Sequence, residues 1–492
     1  MEVTEMDVAV EPDVVETHIS TVAFVGSRAF KFMKPLATAF LDQSTAEKRK
    51  QACEAELYLN RRIAPDVYLG IGQVVEDDIV TDYFLVMRRL PSARRLSALV
   101  GSDEFPDAVR DVARTVAAFH ARQPATPLAA EMASSEGVAG LWAANIEEMH
   151  NFGNEVVETQ HLDAIGAAAR RYIEGRNALF VSRVRDEFAR DGHGDLLADD
   201  IFMLDDGPRV LDCLAFDERL RCGDVLLDMA FLAMDIERLG APDMAEHLLE
   251  CYCAFSNEHH PRSLAHFYIA YRALVRAKIN FLRAAQGDAS AGAVAQSFLR
   301  QCTDHLDSAR PMLILVGGSP GTGKTTLAND LADALGLLVL SSDEVRKDLM
   351  GIAHTEHAYA PPGQGIYTPA ISAQTYEALI RHGRRVIELG ESVVLDASWS
   401  RAEDRWAARL MGDELGACVV EIRCEVAPDV ATARIAARMQ TSDPSDATPE
   451  IADHLRAHLD PWPESVTIDT NRPRETTTQE ATAASVARRA IR

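Results

Sequence analysis

The chain has 492 residues, 47% of them hydrophobic and 25% charged, too long for one core at about 100–200 residues per domain. That composition also excludes disorder, collagen-like repetition and a coiled coil. Its 75 Asp and Glu against 50 Lys and Arg give a net charge of −25, which opposes nonspecific adhesion to nucleic acid or an anionic membrane surface.

The first residues are acidic and lack the basic and apolar regions of a signal peptide, and Asp228 and Asp235 break the richest apolar run. The expectation is a cytoplasmic protein without a membrane span. Its eight cysteines include no CxxC pair and are expected to be reduced. Residues 21–25 and 28–33 flank Gly26-Ser27 and read as a β-hairpin. Ser44-Thr-Ala-Glu47 has the spacing of a capping box and predicts a helix through Arg62, followed by a strand at 81–88. From Pro106 the period becomes helical, with Val109, Val112, Val116 and Phe119 on one face.

A short β region at 201–212 interrupts the helices, which resume from Asp224 to about Leu306. If Asp206-Gly207 form the loop of the hairpin there, Asp212 lies opposite Ile201 and Asp200 opposite Cys213. Both carboxylates then sit at the open end beside His193-Gly194-Asp195. Three acids gathered in one place repel unless a cation bridges them, and Mg²⁺ takes oxygen ligands together with phosphate oxygens.

Pro311 stops helix continuation, and a strand starts at once, so the expected domains are 1–309 and 310–492. Beyond it strands at 312–316, 337–340, 392–395 and 418–424 alternate with helices, which predicts a parallel α/β sheet. Gly318-Ser319-Pro320-Gly321-Thr322-Gly323-Lys324-Thr325, with Thr326 after it, fits G-x-x-x-x-G-K-[ST] between strand and helix. Its glycines let backbone N–H groups wrap phosphates, Lys324 reaches the β/γ-phosphates, and Thr325 can ligate Mg²⁺. Asp343 and Arg346 emerge after the next strand, where an acceptor would lie. Asp343 could take a hydroxyl proton and Arg346 could anchor an anionic group, although an ordinary capped helix start has the same pattern. Asp396 ends an apolar strand, as a Walker-B-type or substrate-contacting carboxylate would. Arg434 and Arg438 share a helix face that could close over phosphates, or could be surface charges.

Taken together, GGSPGTGKTT, SSDEVRKDL, VVLDAS and ARIAARM resemble the P-loop small-molecule and polynucleotide kinases, including the zeta-toxin-like group, over about 311–469. The resemblance implies Lys324 and Thr325 as phosphate and metal residues, Asp343 as acceptor base, Arg346 as substrate anchor and Arg434 and Arg438 as lid residues. The segment HGDLLADD followed by VLD resembles the aminoglycoside-phosphotransferase-like kinases, a branch of the bilobal α+β protein-kinase fold, over about 19–306. That resemblance implies Asp195 as base, Asp200 and Asp212 as metal ligands, and Lys31 as phosphate-binding lysine with Glu56 as its partner. Lys34 and Glu54 are rivals for the last two. Met87 would end the strand lying against adenine.

One departure stands out: the family's asparagine is Asp200 here. The expected protein is a bifunctional ATP- and Mg²⁺-dependent phosphotransferase acting on small hydroxylated metabolites, with nucleic acid and membrane disfavoured as partners. The competing expectations are a regulatory ATP-binding protein whose N-terminal half is a ligand-sensing or weakly active pseudokinase, and a polynucleotide 5′-kinase in the C-terminal half.

Overall fold

In the computed structural model the described residues are 13–16, 19–37, 42–152, 157–356, 363–438, 451–452 and 456–489. They group into two compact units, one of residues up to 138 with 183–259 and 271–276, the other of 139–182, 260–270 and 277 onward. Among the described residues no helix is long and apolar enough to cross a membrane.

The first unit begins with an antiparallel sheet of β1 (Asp13–Glu16), β2 (Ser20–Val25), β3 (Arg28–Met33), β4 (Tyr68–Glu76) and β5 (Ile79–Arg88), ordered β1-β2-β3-β5-β4. Gly26-Ser27 joins β2 to β3 with Val25 opposite Arg28. β4 escaped the sequence reading because Gly70 and Gly72 interrupt its apolar alternation. The structure gives Gly72 a reason: a Cβ there would lie 2.3 Å from the ring of Phe84 on the next strand. The β4–β5 loop is Asp77-Asp78, both at positive φ (48° and 61°), the backbone of a type I′ turn without the usual Asn-Gly signal.

The helix Ala46–Asn60 packs on this sheet. Its N-cap is Thr45, whose side chain accepts from Lys48 N, so the predicted box is displaced by one residue; Ser44 is instead engaged by Asp42. Arg61 follows the helix rather than continuing it. In the helix Phe105–Arg122, Val109, Val112, Val116 and Phe119 are all buried, as their period requires. Leu226–Arg238 is buried from Leu226 to Ile236, enclosing two carboxylates, Asp228 and Asp235.

Between these helices lie β6 (Ala189–Asp191), β7 (Ile201–Leu204), β8 (Gly207–Val210) and β9 (Cys222–Asp224); β6 pairs β9 and β7 pairs β8. The β7–β8 register corrects the predicted one: Leu204 pairs Gly207 and Ile201 pairs Val210, so the loop is Asp205-Asp206. A shift of two residues leaves every side chain on its original face, so apolar alternation could not distinguish the two registers. Gly207, at φ 118°, follows the loop instead of forming it. Leu211 N then donates to Asp200 O, and Asp212 lies just beyond the hairpin.

The second unit is built on β10 (Met312–Gly317), β11 (Leu338–Ser341), β12 (Val393–Asp396), β13 (Cys418–Glu425) and β14 (Val466–Asp469), ordered β11-β12-β10-β13-β14 and parallel throughout. β10 is central and buried on both faces, which explains its unbroken apolar run. Met312, Ile314 and Val316 pack with Leu327, Leu331 and Ala481 on one side. Leu313 and Leu315 pack with Leu379, Ala408 and Met411 on the other. β14 was not predicted; it is a four-residue edge strand in which only Ile468 is buried.

Helical segments 139–182, 260–270 and 277–309 belong to this same unit. Arg176 Nη1 donates to Leu415 O at 2.5 Å, Ser263 Oγ donates to Gly390 O at 2.6 Å, and Tyr172 stacks on Phe267. Compactness therefore groups these helices with the parallel sheet, although the change from helical to alternating pattern falls at Arg310.

Candidate active sites

In the first unit, β3 carries Lys31 and the helix Ala46–Asn60 carries Glu56. Lys31 Nζ donates to Glu56 Oε1 at 2.8 Å and to Asp212 Oδ1 at 2.6 Å. Burial opposes a charge on Lys31, but the Asp212 and Glu56 carboxylates outweigh it and hold its pKa well above the usual value. Burial raises Glu56 against the pull of Lys31, while the Lys31 charge, opposed by burial, lowers Asp212. The rivals separate on geometry: Lys34 pairs with Glu16, and the half-exposed Glu54 faces Lys50. Asp212 stands at φ 67°, a left-handed conformation that L side chains disfavour, and its N–H donates to Tyr68 Oη.

Asp195 and Asp200 join this group. Burial pushes the Asp195 carboxyl up to about 6; Arg276 and Arg272 oppose the rise and Asp212 adds to it. Burial, then the charges of Asp212 and Asp195, hold Asp200 well above the ordinary carboxylate range. This all-oxygen cluster is short of positive charge and suits a hard divalent cation. Met87 lies on β5 opposite Ala29 and Tyr68.

Sequence reasoning missed what holds the loop. Asp228 Oδ2 accepts from His193 N at 2.6 Å and Oδ1 from Gly194 N at 2.8 Å. His120 Nε2 lies 3.0 Å from the same carboxylate, and His120 Nδ1 lies 2.8 Å from Tyr252 Oη. Burial alone would raise Asp228; the His120 hydrogen bond and charge outweigh it and keep the carboxylate below its usual range. Asp235 accepts from Ala198 N, farther along the same loop. The signal available was two acids inside an apolar helix, a placement that requires partners. Asn60 Oδ1 accepts from Cys213 N, and Arg62 reaches Gly192 O and Asp191, tying the Glu56 helix to both acidic segments.

In the second unit the segment after β10 wraps back on itself. Gly318, Gly321 and Gly323 take φ of 136°, 81° and 81°. A Cβ on Gly321 would lie 2.5 Å from Ala431 O, so the loop needs glycine for space as well as conformation. Thr322 Oγ1 donates to Ser319 O and Gly318 N to Ser398 O. Lys324, Thr325 and Thr326 open the helix Lys324–Leu335, and Pro320 lies in the loop before it. Thr325 Oγ1 donates to Asp396 Oδ2 at 2.6 Å, while the buried Asp396 Oδ1 has no hydrogen-bond partner among the described residues. Burial raises the Asp396 pKa, against Lys324 and Thr325. A hydroxyl beside a carboxylate with an unused oxygen is a donor set that fits Mg²⁺.

Asp343 and Arg346 fall in the helix Ser342–Met350, capped by Ser341, and pair with each other at 3.0 Å. Arg346 also lies over the Tyr367 ring. Asp343 and Asp396 are close enough for their charges to interact. Arg434 is near Gly323, and its Nη2 donates to Thr470 O. The Arg438 side chain lies outside the described residues.

The chain thus pairs an α+β unit that carries a buried lysine and carboxylate cluster with a parallel α/β unit that carries a P-loop. The AAA domain family model matches residues 313–462. The chain is 38% identical over 465 residues, 94% of its own length and 93% of its relative's, to the uncharacterized protein Rv2004c of Mycobacterium tuberculosis (strain ATCC 25618 / H37Rv), and it belongs to the same family. Among solved structures it is similar to APH(2")-IIia in its GDP and kanamycin complex, at 15% identity and TM-score 0.40 over 61% of this chain and 95% of that one. It is also similar to a gluconokinase from Sinorhizobium meliloti 1021, at 18% identity and TM-score 0.28 over 37% of this chain and 94% of that one.

Proposed function

We propose that the chain is an ATP-dependent phosphotransferase with two nucleotide sites, each passing a γ-phosphoryl group to the hydroxyl of a small metabolite. The observation that carries this reading is Lys31, held between Glu56 and Asp212 beside Asp195 and Asp200. In this reading Lys31, positioned by Glu56, contacts phosphate, and Met87 lies against adenine. Asp195 accepts the hydroxyl proton: a carboxyl near 6 is ionised at neutral pH yet more basic than an exposed one. Asp200 and Asp212 hold Mg²⁺, which when bound neutralises phosphate charge.

In the P-loop half the backbone from Gly318 to Thr326 cradles phosphates, with Lys324 on the β/γ oxygens and Thr325 on Mg²⁺. Asp396 serves the metal or the substrate, Asp343 is the base, Arg346 anchors the acceptor, and Arg434 and Arg438 close over the phosphates. The test is incubation of the full chain with γ-labelled ATP, Mg²⁺ and a metabolite extract. The expected result is labelled products, one set lost in Asp195→Asn and another in Lys324→Ala.

A second reading is regulatory, with ATP binding but no transfer at the N-terminal site. Asp200 favours it, because a carboxylate in place of an amide adds negative charge beside a triphosphate. ATP binding without any Asp195-dependent product supports this reading.

A further inference from the structure

The segment that follows β12 grips the P-loop at both ends. Asp396 takes the Thr325 hydroxyl where the helix starts, and Ser398 O accepts from Gly318 N at 3.2 Å where the loop leaves β10. Trp399 comes next, at φ 49°. A bulky L residue rarely adopts this left-handed backbone, which persists only where the surroundings hold it. Every polar group of Trp399 is held. Its N–H donates to Tyr376 Oη at 3.1 Å, its carbonyl accepts from the buried Arg405 Nη1 at 2.6 Å, and its fully buried indole donates to Leu395 O at 3.1 Å.

Tyr376 lies on the helix Pro369–Glu388 and is itself buried, with its ring edge-on to the Trp399 indole. Its hydroxyl oxygen is also 2.9 Å from Ser398 Oγ, so one atom engages both residues that set the direction of the 398 carbonyl. We propose that Tyr376 is a positioning residue of the C-terminal nucleotide site. Through Ser398 and Trp399 it maintains the left-handed turn that aims the 398 carbonyl at Gly318 N, and so keeps the P-loop in the shape that receives phosphates. A loop already in that shape avoids the cost of being ordered on binding. The proposal rests on the reading of Gly318 to Thr326 as a phosphate cradle.

Tyr376→Phe keeps the ring and removes the hydroxyl. In the full chain it should weaken the Lys324-dependent binding of a fluorescent ATP analogue about 10-fold, as expected when a buried N–H loses its acceptor. The factor should be the same in Mg²⁺ and in EDTA, because the backbone cradle is displaced and not the metal contact alone. Amide hydrogen exchange supplies a second readout: Gly318 N–H should exchange faster, while residues 313–316 of β10 keep the protection of the parent chain. Ser398→Ala leaves the Tyr376 bond to Trp399 N in place and should weaken binding by about 2-fold or less. Unchanged affinity in Tyr376→Phe overturns the proposal. Faster exchange spread evenly over Gly318 and β10 also overturns it, making Tyr376 a general support of the fold. Absence of Lys324-dependent binding in the parent chain overturns the phosphate-cradle reading, and this proposal with it.

Discussion

Thr325 donates its hydroxyl to Asp396 across 2.6 Å, joining the first turn of the P-loop helix to the carboxyl end of β12. The second Asp396 oxygen is buried without a partner among the described residues, which leaves this carboxylate an unused position for a cation. Asp396→Asn should weaken nucleotide binding at the C-terminal site by about 10-fold or more in Mg²⁺ and change it little in EDTA, since loss of one charged metal contact removes ~1.5–3 kcal/mol. Titration of a fluorescent ATP analogue with and without Mg²⁺ checks this.

Lys31 satisfies two carboxylates, and its side chain and that of Glu56 are both nearly buried. Lys31→Ala should abolish the Asp195-dependent transfer and also destabilise the first unit by about 3–5 kcal/mol, because the buried Glu56 and Asp212 carboxyls lose the cation that offsets their burial. The double variant Lys31→Met, Glu56→Gln removes both charges. It should recover much of the stability and none of the activity, as read from denaturant midpoints beside transfer rates.

Asp228 should matter as much as the base it positions. Asp228→Ala leaves two loop N–H groups and His120 without their acceptor, and the expected loss is about 3 kcal/mol or more together with transfer at the N-terminal site. Tyr252→Phe removes only the far end of the same chain of contacts and should cost about 1 kcal/mol. Calorimetry of the two variants provides the comparison.

Gly321→Ala confronts both the positive φ and the Ala431 carbonyl. A left-handed alanine costs roughly 1–2 kcal/mol even in open space. The variant should therefore lower the melting temperature of the second unit by several degrees and weaken ATP binding there. Unchanged binding in the titration would contradict the tight fit of this loop.

The P-loop could be found because its glycines, Lys324 and Thr325 are contiguous and lie between a strand and a helix. Asp195, Asp200 and Asp212 were legible as a group because one short hairpin separates them, even though its register was misassigned. Asp228 was not, since its partners His193 and His120 are remote in sequence and it resembles a mere interruption of an apolar helix. β4 was lost to glycines that exist to admit Phe84, a fact written on another strand.

His266 provides a pH signature within the second unit. Its Nδ1 lies 3.0 Å from that of His305, and burial, followed by the neighbouring His305, Arg489 and Arg262, lowers its pKa from 6.5 to about 3. A depressed histidine is neutral in the folded state, so its contribution is fully present above about pH 6.5 and is lost as pH falls from there toward 3, by up to about 1.4 kcal/mol per pH unit. His266→Asn should flatten the decline in melting temperature between pH 6.5 and 4.5.

The helices that bury Arg176 against the 415 carbonyl and Ser263 against the 390 carbonyl also bear on how the chain can be inherited. A gene encoding only residues 1–309 would yield a buried guanidinium and a serine hydroxyl deprived of the 415 and 390 carbonyls, and a gene starting at 310 would expose the surface those helices cover. Loss of either half is thus penalised in the other, whatever each half catalyses. The match to Rv2004c runs through both halves at nearly full length, as expected of two halves bound to a common fate by packing.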